Sequence, residues 1–356
     1  MKFVGISGIG TASPPLQMTQ EQAKSLMLEH FGSQLSPRNR AIMNRVFSHP
    51  SIQRRSFAMD RPDEPIEEDQ DEKIARFTRW AVDLGCQALQ NALSKSGKAL
   101  KNIKALIVNT CTGYICPGLS TYLSERLHLD PSVRLYDLVG AGCGGAIPNL
   151  QLADALVRQM IPDDDGIDSC VLSVSIEICT ATFQMGDDLS LIISNALFGD
   201  GAAAICVERI DHGLHVVNFA SFLDAAHRDD IRYIYKSGQL YNQLSTDLPE
   251  IAGRAVERVV RTLLEPCGLD PTDVHHWAMH SGGEKVIESV RRFLGLPEST
   301  MEATRKVLRD HGNMSSPTTI FALDHLMERG MKTGDYCVVV GFGAGMSAHA
   351  CLLRLD

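Results

Sequence analysis

Three residues of this 356-residue chain have the types and surroundings to make and break a thioester: Cys143, His280 and Asn313. Cys143 stands in YDLVGAGCGGAIPNLQLADALVRQM, where an apolar, strand-like stretch meets a glycine turn and then a run with helical spacing. A sulfur at such a turn points at the first free amides of the helix. Those amides and the positive end of the helix dipole favour the thiolate, the nucleophilic form of cysteine. Flanking glycines let a carbonyl carbon come close to the backbone. The setting suits a cysteine that carries an acyl group, although a cysteine in an apolar segment is more often a small inert hydrophobe.

His280 closes the strand-like HHWAMH and is followed by Ser281, two glycines and the helical EKVIESV. Gly312 and Asn313 precede a further helix in LRDHGNMSSPTTIFALDHL, with Ser315 placed to cap it. All three residues therefore sit at ends of regular elements beside glycine, and in layered α/β proteins such ends gather at one crevice. An imidazolium beside the sulfur would hold it as thiolate. Histidine and the asparagine carboxamide could then aim two donors at a thioester oxygen and stabilise an enolate, a task worth roughly 3 to 4 kcal/mol per donor.

The elements that must position these groups alternate. Strands are expected at the N-terminus (KFVGISGIGTA), at 105–113, before Cys143, at SCVLSVSIE, at the end of ALFGDGAAAICVER, at LHVVNFASFL, at HHWAM and in two closing segments. Helices are expected at 20–32, 73–96, through LSTYLSERLHL, after Cys143, near 249–265, at EKVIESVRRFLG and near 301–310. Pro148 falls in the first or second turn of the nucleophile's helix, where a kink is expected. Uninterrupted apolar strands between helices indicate an α/β protein whose sheets are covered on both faces. Two similar halves, 1–208 with the cysteine and 209–356 with the histidine and asparagine, indicate a duplicated architecture. Around residues 38 to 55 the chain turns basic, PRNRAIMNRVFSHPSIQRRSF, and two segments read as loops: the acidic DRPDEPIEEDQDE, a solvated surface stretch, and PDDDGID.

Composition excludes several classes. A formal charge of −9 argues against a general nucleic-acid binder. Ten cysteines without a CxxC pair argue against a zinc site or a disulfide scaffold, and their place in apolar runs is how a reducing cytoplasm uses cysteine. No run has membrane length, and the short glycine-rich start is not a signal peptide. A lone GIG near the N-terminus lacks the rest of a dinucleotide fingerprint. A cytoplasmic protein without metal or cofactor is expected.

GCGGA after an apolar strand, NALFGDGAAA, HSGG, HGNMSS and a C-terminal GFGAG occur here in the order and at about the spacing of chalcone-synthase-like enzymes. Across nearly its full length the chain resembles the type III polyketide synthases. HSGGEKVIESV, LRDHGNMSS and AVDLGCQAL are similar to the bacterial dihydroxyphenylacetyl-CoA synthases within that family. The resemblance implies a thiolase fold, five-layered αβαβα with duplicated halves, in a homodimer. It implies decarboxylative condensation of malonyl-CoA, as extender and conceivably as starter, onto a Cys-bound acyl group from an acyl-CoA, with cyclisation to follow. Cys143 then falls on the nucleophile, and His280 and Asn313 on the pair that drives decarboxylation. Phe198 falls at the junction of pantetheine tunnel and cavity, Thr182 and Ser315 on cavity walls, and Cys116 on a residue reaching into the neighbouring subunit. Arg45 matches a residue holding coenzyme A phosphate. The chain departs from the family where Asn242, beside Tyr241, replaces a gatekeeper phenylalanine. Ile42 and His49 replace coenzyme-binding lysines, so phosphate contacts shift to Arg38, Arg40 or Lys285 near Gly282 and Gly283. Ala344 replaces a proline.

The nearest rival is a single-round β-ketoacyl synthase of the type III kind, with malonyl on an acyl carrier protein. Thiolase lacks its second cysteine in GFGAG, and a papain-like protease would open on its cysteine. A non-catalytic binder would have lost one of the three residues. Glu177 reads as a buried partner anchoring the site wall or as a general base. Arg54 and Arg55 read as surface charges or phosphate contacts.

Overall fold

In β1 (Phe3–Ala12) seven of the ten residues are buried, on both faces of the strand, which places it inside a layered molecule. The computed structural model describes residues 2–161, 168–236 and 239–356; all but the last position of PDDDGID lies outside the described residues. After β1 come β2 (Leu16–Thr19), α1 (Gln20–Phe31), α2 (Pro37–Phe47), β3 (Arg54–Phe57), the short α3 (Glu64–Glu67) and the long α4 (Gln70–Ser96). α4 starts on a capping box between Asp69 and Glu72 and stops at Gly97, whose φ of 72° is left-handed. β4 (Ile103–Asn109), α5 (Leu119–Leu127), β5 (Arg134–Leu138), α6 (Ala146–Met160), β6 (Cys170–Glu177), α7 (Leu189–Leu197) and β7 (Gly201–Ile210) complete the first half.

The second half runs through β8 (Leu214–Leu223), β9 (Ile231–Lys236), β10 (Gln239–Leu244), α8 (Leu248–Leu264), β11 (His276–Met279), α9 (Glu284–Leu294), α10 (Glu302–His311), α11 (Pro317–Arg329), β12 (Tyr336–Gly343) and β13 (Ser347–Leu355). The boundary expected after residue 208 falls two residues before β7 ends.

One nine-stranded sheet has the order β11-β12-β13-β8-β1-β7-β6-β4-β5. Its halves join at β1 and β8 through Gly5↔His215 and Ile6↔Leu214 alone, which lets them fold over each other. Between them lie α6 and α11. Ile147, Leu150 and Val157 of α6 and Ile320, Phe321 and Leu323 of α11 share one core with Ile107 and Ile205 of the first half and Val339 and Leu353 of the second. α4 and α5 cover the outer face of the first half, and α8 and α9 that of the second. This is the αβαβα layering of the thiolase fold. Both central helices carry mainly small and aliphatic residues because each is covered on all sides.

Four local expectations need correction. β4 ends at Asn109, four residues early, because Thr110, Cys111 and Thr112 turn out of the sheet to bond Glu177. Pro148 does not kink α6: it is the third residue, where helix amides have no intrahelical acceptor anyway. The acidic stretch after residue 60 is not simply solvated. Glu68 is buried against Arg76 at 2.7 Å, and Pro62, Pro65 and Ile66 line a cavity. The stretch after β8 contains the β9–β10 hairpin, whose mixed polar and apolar residues gave no clean alternation to read.

Candidate active site

Cys143 occupies a single 3-10 turn, Gly142–Gly144, between β5 and α6. The end of β12 packs directly on this turn. A Cβ on Gly343 would stand 2.4 Å from the Ala141 carbonyl oxygen and 3.0 Å from the Cys143 amide nitrogen, so only glycine lets the two halves meet there. The Ser315 hydroxyl reaches Cys143 Sγ at 3.2 Å, Glu177 Oε1 at 3.3 Å and Cys111 Sγ at 3.3 Å. A serine has one hydroxyl proton, so it serves the sulfur or the carboxylate, not both at once.

Asn313 is fixed through its backbone and its oxygen. Its amide donates to Leu197 O at 2.8 Å, and Gly199 N donates to its carbonyl at 3.0 Å, tying it to the Phe198 segment. Its side-chain Oδ1 accepts from Ser315 N at 2.8 Å. Holding the oxygen there leaves Nδ2 as the group's available donor.

His280 follows β11 and donates its backbone amide to Val340 O at 2.9 Å. Its ring meets Phe342 edge-on with centroids 5.0 Å apart and lies beside the Ser315 backbone. Nδ1 is buried without a protein partner. A Cβ on Gly282 would come within 2.7 Å of Phe342 Cζ and 3.7 Å of His280 Nε2, so glycine keeps this side open.

Cys143, Asn313 and His280 therefore all abut one residue. Ser315 has a φ of 58°, left-handed and uncommon outside glycine. Its carbonyl accepts from Thr318 Oγ1 at 2.5 Å and its amide is held by Asn313, which over-determines the conformation. Ser315 was expected to cap the following helix. Ser316 takes the capping position of α11 without a side-chain cap bond, and Ser315 is the hub of the site instead.

Of the two readings of Glu177, wall anchor or general base, its contacts match the first. It is fully buried and accepts from Cys111 N at 3.0 Å, Thr112 Oγ1 at 2.9 Å and Ser316 Oγ at 2.8 Å. Its partners hold it as an anchor of the wall behind Ser315. Burial still pushes its pKa up against those bonds.

Burial also governs the titration of the reactive pair. Desolvation pushes the Cys143 thiol up to about 12, against the lowering effect of the Ser315 hydroxyl. It pulls His280 down to about 4. Loss of water around the sulfur and the ring thus works against the expected thiolate and imidazolium and toward thiol and neutral imidazole, while the turn before α6 and the Ser315 hydroxyl work the other way. Alkylation of Cys143 by iodoacetamide should then accelerate close to tenfold per pH unit between about pH 7 and 10. A plateau already reached at neutral pH would mean a resting thiolate.

The remaining residues singled out by sequence divide into groups. Phe198, Thr182 and Asn242 line one cavity; Thr182 donates to Cys179 O at 2.8 Å and Asn242 Nδ2 to Ser194 Oγ at 3.0 Å. Tyr233, which no motif singles out, pairs with Asn242 across the β9–β10 hairpin and so shares its face. Its phenol lies near Cys143, Cys111 and Cys179 and hydrogen-bonds Thr182, and burial pushes its pKa well up. Tyr241 pairs with Ile234 on the opposite face, where Lys236 Nζ sits 5.4 Å from its ring centroid. Cys116 is exposed on the loop between β4 and α5.

Arg45 is exposed in the last turn of α2, and Lys285 in the first turn of α9 just after Gly282 and Gly283. Lys285 shares an open recess with His49, Glu250, Glu284 and Arg292. Glu250 is taken up by Arg292 and Glu284 by Arg305, so neither neutralises the lysine. Arg55 is neither a surface charge nor a phosphate contact. It is 1% exposed and bonds Gln20 Oε1, Asn195 O and Phe198 O, and burial lowers its pKa to about 9.

Among the described residues no helix is long and apolar enough to cross a membrane, and no group of three or more His, Cys, Asp or Glu is arranged to hold a metal ion.

Comparison with known proteins bears on this geometry. Residues 19–269 match the sequence model described as FAE1/type III polyketide synthase-like protein, and residues 229–355 that of the C-terminal domain of chalcone and stilbene synthases. A 3,5-dihydroxyphenylacetyl-CoA synthase of Amycolatopsis balhimycina is 32% identical over 98% of this chain and 92% of its own. An alpha-pyrone synthesis polyketide synthase-like Pks18 of Mycobacterium tuberculosis is 28% identical over 98% and 91%. The crystal structure of PKS-I from the brown alga Ectocarpus siliculosus superposes with a TM-score of 0.90 at 23% identity, covering 100% of this chain and 99% of that one, which speaks for the fold. The chain belongs to the type III polyketide synthase family.

Proposed function

We propose that this protein is an iterative synthase that extends a Cys143-bound acyl group with malonyl-CoA by decarboxylative Claisen condensation. The observation that carries this reading is the meeting of Cys143, His280 and Asn313 around Ser315. In loading, Cys143 Sγ attacks the acyl-CoA carbonyl as its proton passes to His280, and the coenzyme leaves as its thiol on taking that proton back. Malonyl-CoA then loses its carboxylate as carbon dioxide. Its thioester oxygen gains the negative charge, facing the Asn313 amide and a neutral imidazole N–H. The α-carbon attacks the acyl thioester, a carbon–carbon bond forms and the Cys143 thiolate departs. A histidine kept neutral by burial retains an N–H for the enolate at neutral pH, which supports its assignment as donor. Arg45, Lys285, Gly282 and Gly283 would hold the coenzyme, and no metal or further cofactor enters any step.

A second copy of the chain completes the reading. β5 ends the large sheet with a free edge, and Leu135, Val139 and Tyr114 near it are exposed. A homodimer formed there would cover them and turn Cys116 toward the partner. Action in the cytoplasm and in secondary metabolism belongs to the same proposal.

The single-round, carrier-protein reading is not favoured, because the family matches span the type III polyketide synthases. Incubation with carboxyl-labelled malonyl-CoA and a panel of acyl-CoA starters tests the proposal: labelled carbon dioxide and products extended by two or more units are expected. No decarboxylation would overturn it, and diketides alone would restore the single-round enzyme.

A further inference from the structure

One buried arginine has no task in the condensation as derived. Arg55 stands in β3, 1% exposed, between the end of α7 and the loop that carries Asn313. The end of a helix presents carbonyls that no helix amide can satisfy. At the end of α7, Asn195 O and Phe198 O accept from Arg55 Nη1 at 2.7 and 2.6 Å. Ala196 O accepts from Gln20 Nε2 at 2.8 Å, and Leu197 O from the Asn313 amide at 2.8 Å. Gln20 and Arg55 form one unit, because Arg55 Nε donates to Gln20 Oε1 at 2.9 Å. Asn313 thus shares the end of α7 with this pair.

The arginine also meets the Asn313 loop directly. Gly312 has a φ of 71°, and a Cβ there would stand 2.8 Å from Arg55 Cγ and Cδ and 2.6 Å from Leu197 O. The stem of Arg55 therefore lies against the residue that precedes Asn313. With Oδ1 held by Ser315 N and the backbone tied to α7, the place of Nδ2 follows that of the loop. Burying a guanidinium is costly. Asp200 and the Phe47 and Phe57 rings, 5.7 and 4.9 Å from Cζ, offset the loss of water only in part. A neutral side chain would escape that cost, but only the arginine fork reaches all three acceptors at fixed angles.

We infer that Arg55, braced by Gln20, is a positioning residue for malonyl decarboxylation: it fixes the end of α7 and the Gly312 backbone, and through them the place of the Asn313 Nδ2 donor. A donor serves a developing oxyanion only from about 2.7 to 3.1 Å, so a displaced loop slows the step although Asn313 itself is intact. The charge on the thioester oxygen is largest in the transition state, and the loss therefore falls on kcat and not on KM. Loading at Cys143 does not call on the Asn313 donor and is spared. The inference rests on the synthase reading above and adds a residue to its machinery.

Arg55→Lys keeps the charge and loses the fork. With carboxyl-labelled malonyl-CoA its kcat for carbon dioxide release should fall by about 10- to 100-fold, the effect of misplacing a group by about 1 Å. KM for malonyl-CoA and the rate of starter loading should stay within about twofold of native. The deciding measurement repeats the substitution in Asn313→Ala. With the donor already gone, Arg55→Lys should slow decarboxylation by less than about twofold more. Equal losses in the two backgrounds would overturn the inference, as would loading that falls in step with decarboxylation, or native rates throughout. Gln20→Met removes the donor to Ala196 O and the acceptor of Arg55 Nε without changing charge. It should act in the same sense by a smaller factor, and it carries the test if the lysine variant does not fold. Loss of folding in both variants would make the pair a requirement of the fold and overturn its assigned role. Carbon dioxide release by the native enzyme tests the synthase reading separately: without it both fall, whereas native release with indifferent variants removes this inference alone.

Discussion

Cys143→Ala forms no acyl-enzyme and no polyketide, a loss of at least about 10⁴-fold and in practice below detection. In the proposed reaction the sulfur is the atom to which the acyl carbon bonds, and no neighbour is expected to replace it. Cys111 and Cys179 stand beside it, but burial pushes both thiols well above the ordinary range, and Cys111 has the Glu177 carboxylate against it as well. Malonyl decarboxylation should survive, because it calls on His280 and Asn313 and not on sulfur. Carbon dioxide release and product formation measured in one reaction separate the two, and polyketide from this variant would mean that the acyl group resides elsewhere.

Asn313→Ala slows malonyl decarboxylation by about 10²- to 10³-fold, the effect of removing one donor from a developing oxyanion. The substitution also takes away the acceptor for Ser315 N, so the left-handed serine loses one of its restraints. That secondary effect should appear in starter loading, at Cys143, and should be much smaller. Single-turnover loading and labelled carbon dioxide release, followed in parallel, resolve them. A variant that decarboxylates at the native rate would remove Asn313 from the oxyanion site.

The residues of the site were legible in sequence because each stands beside glycine at the end of an element. Glycine at 282 and at 343 is required by contacts under 3 Å that any Cβ would make. The layered fold was legible too, since β6 and β7 are buried on both faces and read as unbroken apolar runs. What could not be read was set by contacts far apart in sequence. Glu177 read as a wall anchor or a general base, and its wall contacts are with Cys111, Thr112 and Ser316, residues 65 to 139 positions away. Ser315 looked like a cap because serine before a helix usually is one, whereas here Asn313 and Thr318 force it into a left-handed turn toward the sulfur. Tyr233 shares the face of Asn242 only because the hairpin register sets the two opposite each other, and register is not written in a short strand of mixed polarity. The helix and the glycines that favour a thiolate were legible, whereas the opposing burial imposed by the second half of the chain was not.

Peptide mapping by mass spectrometry of enzyme quenched during turnover with an acyl-CoA starter tests the account most directly. It predicts one acyl group per chain, on the peptide containing Cys143, that is stabilised when Asn313→Ala blocks extension. An acyl group found on Cys111 or Cys179, or none on any cysteine while polyketide accumulates, would contradict it.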